Sequence, residues 1–112
     1  GIYFRYARRR IERGVIMKTK INSTGSMSTQ VEDGALKLYS YNTVMGYVKN
    51  GKAIMVNEFY SRTTSKHQAK YREMFNLDRD KGELFEYGAF IKRAELDGVN
   101  VLGGWNKWKG GL

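Results

Sequence analysis

Two short strings hold most of the side chains whose types and spacing could do chemistry. Ser40-Tyr41-Asn42-Thr43 and Tyr60-Ser61-Arg62-Thr63-Thr64-Ser65-Lys66-His67 gather hydroxyls, an amide, two cations and the chain's single histidine. Three chemistries fit. Hydroxyls before an apolar-periodic run cap a helix, because a side-chain oxygen accepts an otherwise unpartnered amide of the first turn. Thr63, Thr64 and Ser65 each suit that role. A helix start flanked by Arg62 and Lys66 also suits an anion, since free amides and the positive dipole end favour negative charge. A Ser or Thr beside His67 pairs a nucleophile with a base. Against catalysis, no nucleophile-elbow motif is present, and His67 shares a helical turn with those hydroxyls. Capping is the plainest reading, with His67 and Tyr71 packed inward on the neighbouring strands.

A second constellation is broader. Lys37, Lys49, Lys52, Arg62, Lys66, Lys70 and Arg72 interleave with Tyr39, Tyr41, Tyr47 and Tyr60. Cations beside exposed rings hold single-stranded nucleic acid through the phosphates and base faces, and a two-stranded ribbon can enter a major groove. The competing reading is a solvated basic face over a tyrosine-rich core. No RNP1-like aromatic string and no GXXG of the KH type is present. Carboxylates are scattered, with Glu32/Asp33 and Asp78/Asp80 in apparent turns, which argues for solvation rather than a metal or an acid–base pair.

The two strings together resemble a family of small, uncharacterised proteins of phages and related mobile elements. There a strand with a SYNT-like motif precedes a second strand and a helix start of the form YS-x-TTS-x-H. The resemblance covers about residues 38–75. It implies a phage-like origin and a hairpin–helix unit, and it transfers no catalytic residue.

The elements that must position these residues centre on Leu36 to Phe75. Asn50-Gly51 is a strong hairpin signal, because a type I′ turn needs φ > 0 at both central positions. It predicts strands over about 36–48 and 53–60, with Lys49 opposite Lys52, Val48 opposite Ala53, Tyr47 opposite Ile54 and Gly46 opposite Met55. Gly46 there signals a bulge or a close approach. Extending the register places Thr43 opposite Glu58 and Tyr41 opposite Tyr60. A helix comes next over about 65–76, with His67, Tyr71, Met74 and Phe75 on one stripe. Before the hairpin, Lys18 to Asn22 reads as a short strand, Asn22 to Thr29 as loop, and Glu32-Asp33-Gly34 as a turn. After the helix comes a charged turn, Asp78 to Gly82. Then a short helix or irregular stretch leads into a second hairpin over about 90–101, turning at Asp97-Gly98.

Composition bounds the classes. The chain has 112 residues and a formal net charge of +9, with no Cys, no Pro, one His and 13 Gly. One domain is expected. Disulfides, cysteine nucleophiles and classical zinc sites are set aside. No apolar run approaches the roughly 20 residues that span a bilayer. The basic excess favours polyanions. Residues 1–16 carry five Arg and one Glu, so about half of that excess sits in a short segment. It reads as a phosphate-gripping arm, as an amphipathic helix with Tyr3, Tyr6, Ala7 and Ile11 on one face, or as a translated leader. The leader reading comes from Glu12-Arg13-Gly14-Val15, which purine-rich codons of a ribosome-binding type encode just before Met17.

The sequence therefore predicts an α+β fold: a small antiparallel sheet on the Asn50-Gly51 hairpin with a helix packed on one face. Residues 1–16 form a basic arm or non-native leader, 17–104 one domain, and 105–112 a flexible Trp/Lys/Gly tail. The leading function is a non-enzymatic phage-like accessory protein that binds DNA or RNA through Arg62, Lys66, Lys70, Lys49, Lys52, Tyr41, Tyr47 and Tyr60. The rival is a protein-binding modulator of a host enzyme or defence complex, and third is a structural part of a homo-oligomer or virion. No cofactor, metal or membrane partner is expected, and the expected location is the host cytoplasm.

Overall fold

The computed structural model describes residues 2–14, 18–58, 61–77 and 83–102. Six strands form one sheet in sequential order: β1 Thr19–Lys20, β2 Met27–Glu32, β3 Ala35–Ser40, β4 Thr43–Lys49, β5 Lys52–Val56 and β6 Leu84–Phe85. All neighbours are antiparallel except β5 and β6, which are parallel. Three helices cover it: α1 Ile2–Glu12, α2 Arg62–Phe75 and α3 Tyr87–Leu96. The architecture is α+β.

Local chemistry explains most of the turns. Asn50 and Gly51 have φ of 54° and 74°, and the β4–β5 register from Lys49–Lys52 to Gly46–Met55 is the one that turn dictates. Asp33 and Gly34 repeat the device between β2 and β3, with φ of 58° and 69°. A Cβ on Gly46 would stand 2.6 Å from the Ile54 carbonyl oxygen and 3.2 Å from Met55 Cα, so the close approach expected there is present. A register shift at Leu38/Tyr39 accommodates one extra residue on β4.

Four expectations are corrected. The strand expected over 36–48 is two strands, because the chain reverses at Tyr41-Asn42 and Ser40 pairs with Thr43. Tyr41 therefore belongs to the β3–β4 turn rather than to the β4–β5 hairpin, whose pairing runs from Lys49–Lys52 to Gly46–Met55. The loop expected up to Thr29 ends at Ser26, and its last three residues, Met27 to Thr29, belong to β2, since pairing along the whole of β3 overrides their composition. Asp97-Gly98 does not turn a hairpin but ends α3. Gly98 at φ 70°, with Val99 N–H on Ala94 C=O at 2.9 Å and Gly98 N–H on Glu95 C=O at 3.1 Å, forms a Schellman stop. Finally, α2 starts at Arg62, three residues earlier than expected. Phe59, Tyr60, Asp78 to Gly82, Met17 and the 105–112 tail lie outside the described residues.

The sheet is buried on both sides. One face packs Leu36, Leu38, Val48, Ala53 and Met55 under Ala7 of α1 and Tyr71, Met74 and Phe75 of α2. The other packs Ala35, Met45, Tyr47, Ile54 and Val56 under Phe90 and Ala94 of α3, with Val99 and Val101 beyond it. The basic segment at the start of the chain is thus a helix docked on the core, with Phe4 edge-on to Phe75 at 5.5 Å.

Two glycines test this packing. Gly46→Ala is expected to cost about 2 kcal/mol or more, because the methyl meets backbone rather than a movable side chain. Gly88→Ala, in α3 with open space at its Cβ, is expected to stabilise by about 0.5 kcal/mol. Urea unfolding of both variants checks the pair; equal midpoints would contradict the close approach at Gly46.

Candidate nucleic-acid interface

The outer surfaces of α1 and α2 carry six exposed cations, Arg5, Arg8, Arg9, Arg62, Lys66 and Lys70. In α1, Phe4, Ala7 and Ile11 take the inward stripe and Arg5, Arg8 and Arg9 are exposed at i, i+3 and i+4. Arg8 pairs with Glu12 at 2.9 Å on the exposed side, a contact worth a few tenths of a kcal/mol. Arg10 lies over the Tyr6 ring. In α2, His67, Gln68, Tyr71, Met74 and Phe75 are buried, while Arg62, Lys66 and Lys70 are exposed at i, i+4 and i+8, with Glu73 as the acid on that side. Four Arg against one Glu in α1, and two Arg and two Lys against one Glu in α2, place most of the basic excess in one layer. The opposite layer differs. α3 holds Lys92 and Arg93 against Glu95, is flanked by Glu86 and Asp97, and Arg93 is bound to Asp97 at 3.2 Å.

The start of α2 is set by Ser61. Its backbone is extended, and its hydroxyl accepts the Thr64 N–H at 3.1 Å. Thr63, Thr64 and Ser65 are therefore first-turn residues, not the cap. The earlier start lets Thr64 reach inward, where the Ser40 hydroxyl donates to its Oγ1 at 3.5 Å. His67 Nδ1 lies 2.7 Å from Ser40 Oγ and its Nε2 3.2 Å from Ser26 Oγ, so each ring nitrogen is hydrogen-bonded to a serine hydroxyl. Ser26 Oγ also takes Asn22 Nδ2 at 2.8 Å and lies 2.9 Å from Thr24 Oγ1. That oxygen is fully engaged, so the cluster works as a clamp joining the β1–β2 loop, β3 and α2. Tyr71 adds to it, donating to the carbonyls of Ser28 and Tyr39 at 2.9 and 2.8 Å. The far end of α2 closes at Asn76 in the left-handed region, with Leu77 N–H on Arg72 C=O at 2.9 Å.

The expected site residues divide. Arg62, Lys66, Lys70 and Lys52 are exposed. Tyr41 is 54% exposed, with its ring 5.5 Å from that of His67. It holds φ of 54°, a region that costs a bulky residue roughly 1 kcal/mol. Tyr47 is wholly buried against Phe90 and donates to Asp97, which removes it as a stacking platform. Lys49 donates to the carbonyls of Asp97 at 2.6 Å and Asp33 at 3.2 Å, so it is a tie between turns. Lys37 is 1% exposed and pairs with Glu32 and, at 3.0 Å, with Asp33. Those two carboxylates are thus not merely solvated. Burial pushes the Lys37 ammonium down, but its bonds to Glu32 and Asp33 outweigh that and raise it overall. The Asn100 N–H and Lys37 hold Asp33 below the usual carboxylate range. Tyr60 lies outside the described residues. Among the described residues no cluster of His, Asp and Glu could hold a metal, and no helix is long and apolar enough to cross a membrane.

Sequence reasoning missed Ser26 as the second partner of His67, since it sits in a stretch read as loop. It also left α1 as one of three readings. The signal was there in Arg5, Arg8 and Arg9, which fall between the inward positions Phe4, Ala7 and Ile11.

Burial depresses the His67 ring below its ordinary value of 6.5. A depressed base contributes stability that is fully present above the unfolded value and is lost as pH falls below it toward the folded value. As the chain's sole histidine, its ring gives one titrating NMR resonance. The expected midpoint is below 6.5, with unfolding free energy declining as pH drops under about 6.5. His67→Gln should flatten that decline. A midpoint at or above the free value would contradict the clamp.

No curated protein and no solved structure matches the chain. A family of unknown function (DUF8033) matches residues 11–87, a span that runs from the end of α1 through the whole sheet and α2 to the first residue of α3. The chain belongs to that family.

Proposed function

We propose that this is a non-enzymatic nucleic-acid-binding protein that grips the phosphate backbone of DNA or RNA with the outer faces of α1 and α2. The observation that carries the reading is the sorting of charge: the α1–α2 layer is strongly basic, and the α3 layer is close to balanced. Cations displayed on one side neutralise phosphates and release counterions, a binding term that needs no base readout. Arg62, Lys66 and Lys70 rise along α2 by about 6 Å per step at 1.5 Å per residue, so each side chain reaches a separate phosphate. The likeness of the SYNT and YS-x-TTS-x-H strings to phage proteins supports an accessory role for a phage or mobile element, acting in the host cytoplasm.

The test is a salt-dependent mobility shift with the full chain. Affinity should fall steeply between about 50 and 200 mM salt, by a factor on the order of 10³ if six phosphates are neutralised. Lys66→Ala with Lys70→Ala should reduce the log–log salt slope by about 2, roughly one for each contact, while Lys92→Ala on the opposite layer leaves it unchanged. Absence of any shift at low salt would overturn the reading. In that case, retention of one host protein with the same dependence on Lys66 and Lys70 would favour a modulator that docks on an acidic protein surface.

A further inference from the structure

A cleft of about 580 Å³ opens beside β1, lined by Lys18, Lys20, Thr24, Ser26, Tyr41 and Asn42. Its volume lies in the range of small-molecule sites. Tyr41 is the unusual member. It occupies a left-handed backbone position that favours Gly or Asn, although Asn42 stands next to it. Such a conformation persists where the surroundings enforce it, and it clusters at ligand sites. The surroundings here are firm: Tyr41 N–H donates to the Ser26 carbonyl at 2.7 Å, and the ring rests on His67, itself held between Ser26 and Ser40. The ring is thus held at the cleft with more than half of Tyr41 open to solvent. Across from it, the Lys18 ammonium lies 4.2 Å from the Tyr39 ring centroid and 3.4 Å from Asn42 Oδ1. The Lys20 stem packs over Gly25, leaving its charged end exposed.

We infer that this cleft takes one unstacked nucleotide, the base stacking on the open side of Tyr41 and its phosphate held by Lys18 and Lys20. Thr24 and Asn42 supply hydrogen bonds to the sugar or base edge. A held aromatic ring with cations lining the same cleft is the chemistry that recognises a splayed-out base. The inference deepens the backbone-gripping reading: α1 and α2 hold the polyanion, and the cleft selects a place where a base is free. The same chemistry has two sources, an unpaired nucleotide within a strand or a free mononucleotide.

The experiment uses the full chain and three probes: a flush duplex, the same duplex with one bulged nucleotide, and AMP. Anisotropy is expected to show the bulged duplex bound at least fivefold more tightly than the flush one. Tyr41→Asn should erase that preference. Asn suits the left-handed position, so this variant keeps its fold, which a melting curve at or above the parent's confirms. A Tyr41-dependent gain with the bulged duplex identifies the source as an unpaired base; one with AMP alone identifies a free nucleotide. Equal binding of bulged and flush probes together with no Tyr41-dependent AMP binding overturns the inference, as does a preference that survives in Tyr41→Asn. Binding of the flush duplex is the separate measure of the α1–α2 grip, so either conclusion can fail alone.

Discussion

A sheet buried on both faces leaves no place for a free charge, and that constraint organises this protein. Burying an unpaired ammonium costs several kcal/mol, so every cation on the central strands must be neutralised or moved outward. Lys37 in the middle of β3 shows the first solution, bound by Glu32 and Asp33. Lys49 shows a milder form, its ammonium held by two backbone carbonyls where the β2–β3 turn meets the end of α3. Lys20 and Lys52 sit at exposed strand ends, and most of the other described cations lie on the outer sides of the helices. Because α1 and α2 share one face, the basic excess becomes a surface rather than a scatter.

Asp33 is where several of these arrangements meet. Its side chain pairs with Lys37 and accepts the Asn100 N–H at 3.0 Å, and its carbonyl accepts Lys49. The turn between β2 and β3 is thereby joined to the segment after α3. On the opposite face, His67 does comparable work, joining the β1–β2 loop to β3 and α2. The first joint holds the end of α3 beside the β2–β3 turn, and the second supports the Tyr41 ring through His67.

How much of the fold was legible in the sequence depends on how local each signal is. Asn50-Gly51 set its register correctly because a two-residue turn with positive φ has few alternatives. The inward stripe of α2 was equally readable, since His67, Tyr71, Met74 and Phe75 recur at helical spacing. Asp97-Gly98 misled because a left-handed glycine serves hairpins and helix stops alike. The next residue decides between them, and here Val99 turns back onto the core. Tyr41 misled more deeply. A tyrosine with positive φ is rare enough that two strands read as one. The roles of Tyr47, Lys37 and Lys49 could not be read locally, because α3 and the β2–β3 turn bury or bind them, in two cases across 16 to 50 positions of chain. The basic excess was legible in the composition, but only the packing of α1 beside α2 shows where much of that charge is displayed.

If the α1–α2 layer, and not the α3 layer, meets the nucleic acid, amide chemical-shift mapping of the labelled chain with a short duplex tests it most directly. The prediction is that perturbations gather on exposed positions of α1 and α2, including Arg5, Arg9, Arg62, Lys66 and Lys70, and leave Lys92, Glu95 and Leu96 unmoved. Perturbations centred on α3, or none at a concentration where the duplex is bound, would contradict it.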